Sequence, residues 1–78
     1  MEYGKDENAE RFIAICNMLE LKPKRINTKL LSCWETRITV RKQPLIRRLR
    51  RQLDRDGIDY AVVPIGKNTR YYGFRVRA

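Results

Sequence analysis

The sequence predicts a single α+β domain over residues 1–78, three helices followed by a C-terminal β-hairpin. Two apolar stripes and one alternation predict it. Ala9, Phe12, Ile13, Cys16 and Leu19 recur at spacings of three and four, and Leu45, Ile46, Leu49 and Leu53 do so again behind Pro44. Near the C-terminus, Tyr72, Phe74 and Val76 alternate with Arg75 and Arg77.

The first helix is expected from about residue 7 to residue 21, behind a flexible lead-in of six residues. Asp6 is placed to cap it, and Glu7 and Glu10 lie where the helix dipole favours negative charge. Lys22 should end it, because a residue before proline is pushed out of the helical region. A short second helix is expected to begin at Asn27, a favoured N-cap. Ile26 and Leu31 occupy the positions of a hydrophobic staple, and Leu30, Leu31 and Trp34 form its apolar side. It should end near Glu35, with Ile38 and Val40 as apolar plugs in the link to the next element.

The third helix spans residues 44–56. Pro44 suits its first turn, where a missing N–H costs nothing. Gly57 suits the left-handed position after its end, with Ile58 reaching back to Leu53. The hairpin follows. Tyr60, Val62 and Val63 are strand formers, Gly66–Thr69 carries turn chemistry, and Tyr71 opens the alternating strand. A two-stranded hairpin is marginal alone, so Phe74 should pack on the first and third helices. No internal repeat is legible.

Composition narrows the class. The chain has 78 residues, 42% of them hydrophobic, and a net charge of +9. Residues 1–20 carry five acids and two bases, whereas residues 21–78 carry sixteen bases and four acids. A field of one sign on that scale attracts polyanions. No apolar run is long enough for a membrane span, and the acidic N-terminus has no signal-peptide pattern, so a cytoplasmic protein is expected. Cys16 and Cys33 have apolar neighbours and read as reduced, buried thiols. With no histidine and only these two cysteines, no metal site is expected. No Gly-rich phosphate loop or nucleophile–base pair is present either, so neither a cofactor nor enzyme activity is expected.

The third helix carries the functional signal. With Leu45 at zero and about 100° per residue, the apolar residues fall between about 0 and 100°. Arg50, Arg47, Arg51 and Arg48 fall near about 140, 200, 240 and 300° and so cover the exposed arc. Arg47 with Arg51, and Arg51 with Arg55, are like-charged i, i+4 pairs that a solvated face would avoid. Arginine also suits phosphate and guanine better than lysine does. The pattern therefore points to an absent anionic partner.

The order helix, short helix, turn, basic helix ending in Asp56-Gly57-Ile58, then a strand closing Tyr72-Gly73-Phe74-Arg75-Val76, resembles the winged helix-turn-helix family of small phage and mobile-element regulators. That resemblance implies double-stranded DNA as partner, bound by a transcriptional regulator or an excisionase-type architectural factor, alone in tandem or as a homodimer. It implies a third helix in the major groove, with Gln43, Arg47 and Arg51 reading bases. Arg41, Lys42, Arg48 and Arg50 would hold the backbone, as would Asn27, Thr28 and Lys29 at the start of the second helix. Lys67, Asn68, Thr69 and Arg70 would form the wing tip. Two other readings stay open: an arginine face docking an acidic protein, and an RNA binder in which Tyr71 stacks on unpaired bases.

Overall fold

The computed structural model describes residues 5–29 and 31–78, with side chains from Glu7 onward. Its elements are α1 (Lys5–Met18), β1 (Lys24–Asn27), β2 (Ser32–Thr39), α2 (Gln43–Arg55), β3 (Ala61–Ile65) and β4 (Tyr71–Arg77). The strands form one antiparallel sheet in the order β1-β2-β4-β3. Both helices pack on one face of it, where Phe12, Ile15, Cys16, Ile46, Leu49 and Leu53 meet Ile38, Phe74 and Val76. The fold is thus α+β, but it is not three helices with a C-terminal wing.

The expected second helix is the error. Residues 24–39 make a β-hairpin, with Ile26 opposite Cys33 and Asn27 opposite Ser32. Thr28 closes its turn by donating both its N–H and its hydroxyl to the Leu31 carbonyl, at 2.8 and 2.9 Å. Trp34, Thr36 and Ile38 alternate towards the helices, and the residues between them face the other way. The helix-like spacing at Leu31 and Trp34 lost to this period-2 pattern of aromatic and β-branched side chains. Without that helix there is no helix-turn-helix, and the winged-helix resemblance fails at the fold. Leu30 and the proposed capping side chain of Asp6 lie outside the described residues.

The other elements follow their local chemistry. α2 starts at Gln43 with Pro44 in its first turn. Gly57 takes a left-handed φ of +67°, and Ile58 N–H donates to the Leu53 carbonyl at 3.0 Å, closing the helix as its sequence implied. α1 stops at Met18, short of the expected end. Glu20 has a φ of +61°, and Leu21 N–H donates to the Cys16 carbonyl at 2.7 Å. The two helices therefore end in the same motif, once with glycine and once with glutamate. Phe74 packs on the helices as expected and meets the Tyr60 ring at 6.1 Å between centroids.

This likeness extends along the chain, which repeats the order helix–strand–strand. Ala9, Phe12 and Cys16 on α1 correspond to Ile46, Leu49 and Leu53 on α2, and all six are buried. On the strands, Thr36 and Ile38 correspond to Phe74 and Val76. The register places Thr36 opposite its own counterpart Phe74, so a local two-fold relation passes through that pair. An internal repeat is therefore present in the fold, although the sequence does not display it.

Candidate nucleic-acid interface

Two basic surfaces lie on opposite sides of the two layers. The first is the outer face of α2. Ile46, Leu49 and Leu53 anchor the helix in the core, at 0–4% exposure, which turns Arg47, Arg48, Arg50, Arg51 and Arg55 outward. None of the five pairs with a carboxylate among the described residues. Asp54, the acid within this helix, accepts a hydrogen bond from the Tyr60 hydroxyl at 3.0 Å. The surface formed by Arg47, Arg50, Arg51, Asp54 and Arg55 is a wide, shallow depression with no enclosed volume for a small ligand.

The second surface is the sheet face that neither described helix covers. Side chains alternate along a strand, so Cys33, Glu35, Arg37 and Thr39 of β2 share this face with Tyr71, Gly73, Arg75 and Arg77 of β4. Ala61, Val63 and Ile65 of β3 and Lys24 and Ile26 of β1 complete it. Glu35 sits at its centre, 5% exposed. Arg37 Nε donates to Glu35 Oε1 at 2.7 Å, and Arg75 Nε donates to Glu35 Oε2 at 2.6 Å. Burial alone would raise the pKa of this carboxyl, but the two guanidinium hydrogen bonds and charges outweigh burial and hold it below the usual value.

The two-fold relation explains this arrangement. Arg37 and Arg75 are counterparts, and both reach the same carboxylate. The counterpart of Glu35 is Gly73, directly opposite Arg37. A Cβ at position 73 would lie 2.9 Å from Glu35 Oε2 and 2.6 Å from Ile65 Cδ1. Glycine there gives one carboxylate room to bridge two arginines.

The predicted site residues scatter. Arg47, Arg48, Arg50 and Arg51 fall together on α2. Gln43 is turned back, its side-chain amide donating to the Val40 carbonyl. Arg41 and Arg70 come together beside Tyr71 around a depression of about 380 Å³, where Val40 N–H donates to the Arg70 carbonyl at 3.0 Å. Lys42 lies just before α2, and Lys67, Asn68 and Thr69 form the β3–β4 turn. Asn27, Thr28 and Lys29 belong to a strand end and a turn at the far end of the sheet, not to a helix N-terminus. Their proposed phosphate role on free helix N–H groups therefore has no structural basis.

Comparison with protein-family models, curated proteins and solved structures finds no match. Function has to be read from the surfaces themselves. Sequence reasoning left Lys24, Arg37, Arg75 and Arg77 out of the site. The alternation of Arg75 and Arg77 against Phe74 and Val76 was the available signal for two of them. Arg37 and Lys24 were hidden once their segments were read as link and loop.

Among the described residues, no helix is long and apolar enough to cross a membrane. Cys16 and Cys33 are both buried, and burial pushes the Cys16 thiol up to about 12.

Proposed function

We propose that the protein binds double-stranded DNA through the outer face of α2. Arg47 and Arg51 approach base edges, while Arg48, Arg50 and Arg55 hold phosphates. The carrying observation is the contrast between the two halves of the fold. α1 and α2 lie on the same face of the sheet, end in the same motif and each bury three side chains at matching positions. Packing therefore sets the apolar side of each helix and not its outer side. Yet α1 carries Lys5 and Arg11 against Asp6, Glu7 and Glu10, whereas α2 carries five arginines against Asp54. On α1, Arg11 pairs with Glu7 at 3.2 Å, the ordinary i, i+4 solution for a solvated helix. On α2 the like charges repel along the helix. Packing explains the apolar side of α2 and leaves its outer side to a polyanion.

The duplex suits this face for geometric reasons. A 13-residue helix is roughly 20 Å long. The major groove admits one α-helix, and arginine pairs there with guanine in a bidentate way. The site is open and runs along the helix, so a small anion would find no enclosure.

Fluorescence anisotropy with a labelled duplex at two salt concentrations tests the reading. Engaging four or five phosphates gives a slope of log K against log salt of about −4, or a few hundredfold in affinity between about 50 and 200 mM salt. Arg47→Ala and Arg51→Ala should each cost about 1–3 kcal/mol on the preferred sequence and relax base preference. Duplex binding that is indifferent to Arg47→Glu/Arg51→Glu removes α2 as the interface. An absence of binding to any nucleic acid moves the weight to an acidic protein partner.

A further inference from the structure

We infer that the uncovered sheet face is a second and separate binding surface, one that takes single-stranded nucleic acid. Its charge comes first. Lys24, Arg37, Arg75 and Arg77 stand on its strands, and Glu35 is the one acid among them in the described residues. Glu35 is already satisfied by two arginines, so the face stays positive and its central charges are held in place rather than free to rotate.

Its shape and apolar content choose the occupant. Two depressions lie at the two ends of the β2–β4 pair. One, about 380 Å³, has Arg41 and Arg70 beside Tyr71. The other, about 540 Å³, has Arg75 and Arg77 beside Cys33 and Val63, with Asp59 and Asn8 also on its wall. Between these ends β4 runs seven residues, roughly 20 Å, which a backbone of several nucleotides spans. The first end thus offers Arg41 and Arg70 for phosphates, and the second offers Arg77 beside the Glu35-bound Arg75. Tyr71 is 42% exposed and lies directly opposite the half-buried Ile65. An aromatic ring beside an aliphatic floor, flanked by guanidinium groups, provides stacking for unpaired bases. A duplex keeps its bases stacked inside and would leave Tyr71, Val63 and Ile65 unused. The surface does not depend on the role of α2, which faces the opposite way.

The test is anisotropy with a labelled oligothymidine of about 20 nucleotides, a length that covers known single-strand site sizes. Oligouridine and a duplex run in parallel, with polyglutamate as competitor. Tyr71→Ala/Arg77→Glu should weaken single-strand binding about tenfold or more and leave duplex affinity unchanged. Arg47→Glu/Arg51→Glu should do the reverse. Thermal melting of each variant separates lost binding from lost folding. Equal weakening of oligothymidine and oligouridine supports a face that reads phosphate and base stacking alone, whereas a preference for one identifies DNA or RNA as the source. Three results would overturn the inference: single-strand affinity unmoved by Tyr71→Ala/Arg77→Glu, single-strand affinity abolished by the α2 variant alone, or displacement by polyglutamate at equal charge concentration. Duplex binding without single-strand binding would sink the sheet face and leave the α2 reading standing.

Discussion

Replacing Glu35 by glutamine tests the centre of the sheet face from two directions. The carboxylate is 5% exposed and accepts from Arg37 at 2.7 Å and from Arg75 at 2.6 Å. An amide keeps the shape, but its NH₂ group meets one of the two guanidinium donors, so at least one charge-assisted bond is lost. Such a bond contributes about 1.5–3 kcal/mol. The side chains of Arg37 and Arg75 are 53% and 26% exposed, so water takes over part of the loss. A destabilisation of about 2 kcal/mol remains, a drop in Tm of roughly 10 °C for a domain of this size. Circular-dichroism melting at pH 7 measures it. The pH dependence has a defined sign. The folded state holds the Glu35 pKa below its unfolded value, so its stabilisation is present above the unfolded value of about 4.5 and is lost as pH falls through the folded one. Wild type and Glu35→Gln should therefore differ fully at neutral pH and converge in acid. The same substitution adds one positive charge to the face, so single-strand affinity should rise while stability falls. A Tm within about 2 °C of wild type at pH 7 would refute the account of the bridge.

Four further substitutions and a labelling measurement probe the frame. Glu20→Gly relieves a left-handed φ of +61° and should stabilise by about 1 kcal/mol, whereas Gly57→Ala, with no atom near its new Cβ, should cost about as much through φ alone; denaturant melts of the pair decide it. Gly73→Ala drives a methyl group to 2.6 Å from Ile65 Cδ1 and 2.9 Å from Glu35 Oε2 and should cost about 1–3 kcal/mol, read by thermal melting. Thiol labelling should reach Cys33, which is 9% exposed, before Cys16, which is 0% exposed. Because burial raises the Cys16 pKa from 9.0 to about 12, stability should also fall as pH rises above about 9, and Cys16→Ala should remove that alkaline loss.

Much of the second half of the fold was legible because each of its signals is local. Pro44 and Gly57 bracket α2, the stripe at Leu45, Ile46, Leu49 and Leu53 sets its buried side, and the alternation around Phe74 sets the facing of β4. The first half was less legible because its signals are non-local. Glu35 looks like an exposed polar residue until Arg75, forty positions away, is placed opposite it. That pairing makes residue 35 a buried strand position and not a helix end. Glu20 gives no warning of a helix stop, since its left-handed conformation is imposed by the bond from Leu21 to Cys16 and not by its own preference. The arginines of α2 were found because they crowd one helix; those of the sheet were missed because they are shared among strands whose pairing the sequence does not display.

The two-fold relation also bears on why function sits where it does. Some equivalent buried positions are alike: Phe12 and Leu49 are both large and apolar, as are Ile38 and Val76, which fits the packing demand of a small core. The two halves differ on the outer sides of the helices, where packing makes no demand. α1 there solves the solvation problem in the usual way, with mixed signs and an i, i+4 pair. α2 keeps five arginines at a cost in self-repulsion. On the sheet the exchange of Glu35 against Gly73 turns two equivalent arginines from a repelling pair into a fixed one. Both departures from equivalence increase or organise positive charge on a surface that none of the described elements covers. A polyanion is the partner that would benefit from both, and in the proposed reading the two faces differ in which form of it they suit: the outer side of α2 a groove, the sheet an opened strand.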